Sequence, residues 1–332
     1  FDGINEIFVT GKFENKIKSE ILSFKNYKNP SIVFEETTLS KINSFNFNDL
    51  DNNGFLDLII SFNNETRIYY NNGELKFSEK FILSKGFSTN KSIFGDFDHD
   101  GDLDIFQLNN GKNVFLRNNS DGTFLDNSQN LNIKIDDINT IDGDISDFDH
   151  DGDLDLVLIN SNGTINLLSN ERHGKFVDKG KNLTLDSNLS FIQTQDLDND
   201  GFFDFLIQTE NKIKIFKNFG NWNFINSINL SNNLQSFNFD KINIYDFNND
   251  SKLDILNSAK NSIFHLETDE TYNIYNLTDF NNYKNNSSQI LDFDLDGKID
   301  LVFSKDKKIE IFRNTSKNLN KYINVKLNGL RV

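Results

Sequence analysis

The chain has 332 residues, a net charge of −16 at neutral pH and no cysteine. An isoelectric point near 4.7 and the lack of any basic stripe argue against a nucleic-acid partner, and disulfides cannot supply stability. No run is long enough to span a membrane, while 36% apolar residues with 34 phenylalanines can build a large core.

In chain order, the sequence opens on FDGINEIFV, where Asp2, Gly3 and Glu6 match the fifth, sixth and ninth positions of a motif that recurs downstream. The chain is therefore expected to begin inside a repeat and to be a portion of a longer protein, with any signal peptide lying outside it. The first complete motif is DLDNNGFLD from Asp49. It recurs as DFDHDGDLD from Asp96 and, unchanged, from Asp147, then as DLDNDGFFD from Asp196, DFNNDSKLD from Asp246 and DFDLDGKID from Asp292. The starts are 47, 51, 49, 50 and 46 residues apart, so a period near 49 organises the chain.

Positions 1, 3, 5 and 9 of every copy are Asp or Asn, position 6 is Gly in all but the copy with Ser251, and positions 2 and 8 are apolar. Oxygen ligands at alternate positions, a glycine able to take positive φ and a closing carboxylate are what a hard cation with six to eight oxygen ligands asks of a short loop. The cation expected is calcium, at Asp49, Asp51, Asn53 and Asp57; Asp96, Asp98, Asp100 and Asp104; Asp147, Asp149, Asp151 and Asp155; Asp196, Asp198, Asp200 and Asp204; Asp246, Asn248, Asp250 and Asp254; and Asp292, Asp294, Asp296 and Asp300. These positions hold 22 of the 50 acidic residues, so the acidity is largely ligand. An EF-hand is excluded: position 12 is Ile60, Gln107, Leu158, Ile207, Asn257 or Phe303, never the bidentate Glu, and no helix pattern follows. A solvated acidic loop is the bland alternative, but fixed spacing and apolar pegs count against it.

After each motif come short apolar runs such as LII, LVLI and FLIQ, which read as buried strands. Some 22 or 23 residues after the first aspartate an Asn closes a second apolar run, at Asn71, Asn118, Asn170, Asn218 and Asn314, and Phe77, Phe124, Phe176 and Phe224 lie six residues beyond the first four. Each repeat thus holds three or four strands joined by Asn/Gly turns. Several strands per unit, a period near 49 and six units plus a remnant predict an all-β, seven-bladed β-propeller.

GDFDHDGDLDIFQLNNGKNVFLRNNSDGTFLD (residues 95–126) resembles an FG-GAP or VCBS repeat, the blade unit of integrin α-chain propellers. The tail NLNKYINVKLNGLRV is similar to the opening of an ASPIC/UnbV segment, as in cartilage acidic protein and its relatives, although the glycine-rich continuation is absent. The resemblance implies a propeller over residues 1–316, a closing strand or ASPIC/UnbV-like segment over 317–332, and calcium held by positions 1, 3, 5 and 9 with the position 7 carbonyl. Five to seven ions per chain are expected, with the Asp246 copy weakest because of Asn248 and Ser251.

Calcium loops of modest affinity fill outside the cell, so an extracellular, periplasmic or surface location is expected. The many N-x-S/T sequons, such as those at Asn64 and Asn276, follow from an Asn-rich composition, and the one at Asn249 lies inside a predicted loop. His99 and His150 hold position 4 of their loops and are expected to point to solvent, leaving His173 in a turn and His265 in a strand. No nucleophile or transition-metal constellation is visible. Trp222, the single tryptophan, and Tyr69, Tyr70, Tyr272 and Tyr275 read as packing residues.

The favoured function is a non-catalytic recognition, adhesion or structural module for protein or glycan partners, self-assembly included. The alternative is a carbohydrate-active enzyme, a polysaccharide lyase or hydrolase, for which Asp136, Asp137, Asp142 and Asp144 in IDDINTIDGD are the one nominated cluster. As a bland alternative, that stretch is a surface insertion.

Overall fold

The computed structural model describes residues 5–24, 30–73, 76–86, 88–131, 139–180, 183–185, 188–209, 213–229, 242–247, 254–257, 262–266, 272–276, 287–294, 296–305 and 308–315. All strand pairing among them is antiparallel, and each sheet is a meander completed before the next begins. The first sheet holds β1 (Asn5–Phe13), β2 (Lys16–Phe24) and β3 (Ser31–Thr38), and the second β4 (Ile42–Asn48), β5 (Asp57–Phe62), β6 (Glu65–Asn71) and β7 (Phe77–Lys85). The third holds β8 (Thr89–Gly95), β9 (Asp104–Asn109), β10 (Val114–Asn118) and β11 (Phe124–Asp126). The fourth has β12 (Thr140–Ser146), β13 (Asp155–Asn160), β14 (Ile165–Asn170) and β15 (Phe176–Asp178), and the fifth β16 (Leu189–Gln195), β17 (Asp204–Thr209), β18 (Ile213–Asn218) and β19 (Phe224–Asn229). The sixth has β20 (Ile242–Tyr245), β21 (Asp254–Asn257), β22 (Ser262–Leu266) and β23 (Tyr272–Asn276), and the seventh β24 (Ser287–Leu291), β25 (Asp300–Lys305) and β26 (Lys308–Phe312). The chain divides into two compact units, one containing the first five sheets and the other the last two.

Six sheets carry the acidic nonapeptide between their first and second strands. The first sheet does not: a two-residue turn with Glu14 at φ 53° joins β1 to β2, leaving no room for a loop of nine. Glu6 lies within β1, where its Oε1 accepts from Ser23 Oγ of β2 at 3.0 Å. The repeat therefore builds six blades, one fewer than the seven expected from the sequence. Asp2 and Gly3, and all of 317–332, lie outside the described residues.

Burial follows strand order within a blade. The second strands β5, β9, β13 and β17 are buried at every residue, which is why they read as unbroken apolar runs and not as alternation. Third strands are less uniformly buried, with partly exposed residues interspersed in β6, and the fourth strands leave Leu125, Val177 and Ile225 exposed beside buried or half-buried Phe124, Phe176 and Phe224. The core lies between neighbouring sheets. Phe97, Phe106 and Phe115 of the third repeat pack against Leu156, Leu158, Leu168 and Phe176 of the fourth sheet, and Phe148 and Val157 pack with Ile192, Phe205 and Phe216. Within the second unit, Phe247 packs with Leu301 and Phe303. Side chains this large contribute roughly 1.5–3 kcal/mol each when fully buried.

Candidate metal centres

Each nonapeptide leaves the first strand of its sheet at position 1 and enters the second strand at position 9. Asp57, Asp104, Asp155, Asp254 and Asp300, all at position 9, are buried at the start of their strands. One oxygen of each accepts the amide of the position 2 residue: Leu50 to Asp57 Oδ2 at 2.9 Å, Phe97 to Asp104 at 3.2 Å, and Phe148 to Asp155, Phe247 to Asp254 and Phe293 to Asp300 at 2.9 Å. The other oxygen accepts the amide of the periodic Asn at the end of the third strand, from Asn71, Asn118, Asn170 and Asn314 at 2.8 to 2.9 Å. The closing carboxylate is thus a clamp as well as a possible ligand. Desolvation on burial pushes Asp57 up to about 6 and Asp104 and Asp155 up to about 7, against the two amide donors that favour the charged form, and it raises Asp300 too.

Position 1 holds the turn. Both oxygens of Asp96 accept amides, from Asp100 at 3.1 Å and Gly101 at 3.0 Å; Asp147, Asp292 and Asp49 repeat this with Asp151 and Gly152, Asp296 and Gly297, and Asn53 and Gly54. The glycine of position 6 sits at φ 84° to 94° wherever described, which explains its recurrence. Position 5 accepts the amide of position 7, as from Asp102 to Asp100 at 3.0 Å.

Position 3 behaves differently. Asp98 Oδ1, Asp149 Oδ1 and Asp294 Oδ1 are buried with no hydrogen-bond partner. Each belongs to a group, Asp96, Asp98 and Asp104, Asp147, Asp149 and Asp155, or Asp292, Asp294 and Asp300, whose carboxylate oxygens lie within 4.8 Å of one another, as do those of Asp49, Asp51 and Asp57. An orphaned buried carboxylate oxygen facing two further carboxylates is costly unless a cation joins them, so the donor set fits a hard, oxygen-seeking ion. Burial and the neighbouring Asp100 raise the Asp98 pKa for the same reason.

In the copy from Asp196, the boundary between units falls inside the loop, with Asp196, Asp198 and Asp200 on one side and Asp204 on the other. Its Asp200 amide donates to Asp196 Oδ1 at 3.2 Å, and Asp204 Oδ1 accepts from Asn218 at 2.8 Å. In the copy from Asp246, Asn248, Asp250 and Ser251 lie outside the described residues, so the expected weakness of that site is untouched.

The sequence reading left two sets of residues without their true role. The periodic Asn ties blades together: Asn118 Nδ2 donates to Leu50 O, Asn170 to Phe97 O, Asn218 to Phe148 O and Asn314 to Phe247 O at 2.8 to 2.9 Å, always to the position 2 carbonyl of an earlier loop. Its strict spacing was visible in sequence; its partner was not. Position 4 adopts positive φ, 53° at Asn52, 63° at His99 and 62° at His150, and aims at the following loop. His99 Nε2 lies 2.5 Å from Asp153 Oδ1, and His150 Nε2 lies 2.9 Å from Gly201 O with its ring stacked on Phe202. Both histidines are exposed, as expected, and the left-handed turn also lays them along the row of loops, each against the following one.

Trp222 packs as expected, its ring 5.9 Å from that of Phe148 and its Nε1 donating to Asp149 Oδ2 at 2.9 Å. Tyr69 is buried, and desolvation pushes the hydroxyls of Tyr69 and Tyr70 up to about 12. Tyr272 and Tyr275 lie in β23. Asp136 and Asp137 lie outside the described residues, whereas Asp142 and Asp144 sit in β12 and not in a surface insertion. Asp142 pairs with Lys91 Nζ at 2.8 Å and accepts the Ile192 amide at 3.1 Å; Asp144 accepts the Thr194 amide at 2.8 Å. Both carboxylates are used to join neighbouring sheets.

Antiparallel blades of three or four described strands, six of them with an acidic loop between the first and second strands, define a repeat β-propeller. An FG-GAP-like repeat model matches residues 49–107, 147–207 and 196–256, about half of the chain, and the chain belongs to that family. The match does not include the tail similar to ASPIC/UnbV. No curated protein matches the chain in sequence. Similar solved structures include a BBS1N chain in complex with ARL6DN, at TM-score 0.61 and 11% identity over 96% of this chain and 90% of that one. An Agrocybe aegerita lectin that recognises non-reducing terminal N-acetylglucosamine matches at 0.55 and 18%, over 83% and 81%. Virginiamycin B lyase from Staphylococcus aureus matches at 0.52 and 12%, over 93% and 97%. These likenesses concern the fold. Among the described residues no helix is long and apolar enough to cross a membrane.

Proposed function

We propose that this protein is a calcium-stabilised propeller acting outside the cytoplasm as a non-catalytic recognition module for a glycan or protein partner. The observation that carries the calcium part is the orphaned position 3 oxygen, repeated in three loops and each time facing two further carboxylates. Bound there, calcium neutralises charge that otherwise holds the loop open, and the chain's own residues do the rest: position 1 fixes the turn and position 9 pins the loop to the strand behind it. Extracellular calcium is abundant enough to keep loops of modest affinity filled, hence the location.

Recognition is supported by the chemistry left over. The histidines of positions 99 and 150 link loops, and Asp142 and Asp144 join sheets. Among fold neighbours, the lectin binds a terminal sugar and the BBS1N chain binds a protein, so the scaffold serves both kinds of partner.

The test is thermal unfolding with calcium and with a chelator, alongside a count of bound metal and a screen of immobilised glycans and surface proteins in both conditions. Bound ions numbering about one per loop, a large drop in Tm on chelation and calcium-dependent retention on one class of partner are expected. Absence of bound metal and an unchanged Tm would remove the calcium reading; turnover of a polysaccharide by the loaded protein would replace recognition by catalysis.

A further inference from the structure

The loops from Asp96 and from Asp147 have the same nine residues, yet the structure surrounds them differently. At the end of β10, one residue before the periodic Asn118, Arg117 reaches back over its own loop: Nε lies 2.5 Å from Asp98 Oδ2 and Nη2 lies 2.9 Å from Asp100 Oδ2. The equivalent residue before Asn170 is Ser169, which is buried and bonds Glu171. In the Asp147 loop the basic contacts fall on position 7, where Arg172 Nε lies 3.8 Å from Asp153 Oδ2 and His99 lies on its other oxygen; among the described residues no basic side chain lies against Asp147, Asp149 or Asp151, and the outer oxygen of Asp149 accepts instead from the neutral indole of Trp222. The loop from Asp292 follows the first pattern, with Arg313 before Asn314 and its Nε 3.1 Å from Asp294 Oδ2.

We infer that the loops fill in a set order: the Asp147 loop takes calcium first, and the Asp96 and Asp292 loops later, because Arg117 and Arg313 act as internal counter-cations on the same position 3 aspartates. This rests on the calcium reading above. A guanidinium paired with Asp98 and hydrogen-bonded to Asp100 holds these carboxylates in place without an ion, then opposes an ion that arrives a few ångströms away. Like charges this close near a protein surface repel appreciably, and a divalent ion feels twice what a monovalent one does. The guanidinium can swing outward, since its side chain is 42% exposed, so the expected penalty is about tenfold in affinity and not exclusion. The arginines thus spread one repeated motif over a range of calcium concentrations, with part of the propeller responding after the rest is already filled.

The molecule carries its own reporter. Trp222 is the single tryptophan and touches Asp149, so terbium(III) bound in the Asp147 loop is sensitised by selective tryptophan excitation. Terbium titration of the full chain should show this emission saturating before calorimetrically measured binding is complete. Trp222→Phe, which removes the emission, assigns the phase. Arg117→Gln and, separately, Arg313→Gln should each tighten one later calcium site about tenfold while leaving the Trp222-sensitised midpoint in place. Unchanged later sites in both variants, or a tryptophan phase that saturates last, overturns the ordering while leaving calcium binding intact. No saturable binding of either ion at any loop overturns the calcium reading and the ordering with it.

Discussion

Asn118 shows how much one side chain does in this protein. Its amide caps Asp104, its Nδ2 bonds Leu50 O at 2.9 Å and Leu103 O at 3.2 Å, and it is buried. Asn118→Ala leaves two buried carbonyls unsatisfied and should cost about 2–4 kcal/mol. The adjacent Asn119, whose Nδ2 bonds Thr123 in an exposed turn, should cost under about 0.5 kcal/mol when changed to Ala. Equilibrium urea unfolding of the two variants side by side checks this, and equal losses would mean the tie between blades carries no weight. Titration belongs to this scale as well. Without calcium, Asp104 and Asp155 have folded pKa values raised to about 7 and Asp57 to about 6, all above the ordinary carboxylate value of 3.8 expected in the unfolded chain. Protonation then favours the fold, so its contribution is complete below about pH 4 and is lost as pH rises through about 7. In chelator, Tm should fall between pH 5 and pH 8. With saturating calcium the carboxylates are held ionised and the slope should reverse.

At the scale of the element, the loop depends on where backbone space runs out. Gly101 has φ 91° and open surroundings, so Gly101→Ala meets only backbone strain, on the order of 1 kcal/mol. Gly143 in β12 has ordinary φ, but an added Cβ would lie 2.6 Å from Leu158 Cδ2 and 3.0 Å from Val157 O. Gly143→Ala should therefore be the more destabilising of the two, by about 1–3 kcal/mol, because a backbone oxygen cannot move aside. The strand-to-loop-to-strand order was legible, since the motif and the apolar run after it are contiguous in sequence. The destination of position 4 was not: His99 and Asp153 are 54 residues apart, and no local pattern connects them.

Across the whole molecule, the ties that matter run from one repeat to another, 67 to 73 residues apart at Asn118, Asn170, Asn218 and Asn314. Such contacts close long loops before they stabilise anything, so refolding should be slow for the chain length. Phe148 joins local and distant order: it is position 2 of the Asp147 loop, fully buried, and in contact with the Trp222 and Phe224 rings of the following repeat. Phe148→Leu, chosen to preserve folding, should cost about 1–2 kcal/mol and weaken terbium emission from Trp222 at the same time. A stability loss with an unchanged terbium midpoint would show that packing and cation binding are independent.

By itself the sequence determined what a period of about 49 residues can encode: an all-β repeat, the acidic nonapeptide, the buried second strand and the family. These are local, because ligand spacing, glycine placement and apolar runs are read within one repeat. Only the tertiary structure decided that β1 and β2 of the opening sheet are joined by a two-residue turn and not by the nonapeptide, giving six repeat blades and not seven. It alone decided that Asp142 and Asp144 join sheets, that histidines bridge loops, and that an arginine lies on the position 3 aspartate of one of two identical nonapeptides and not of the other. Each of these depends on which repeats lie side by side, and neighbours in space contribute burial, counter-charge and hydrogen-bond partners that no single repeat contains.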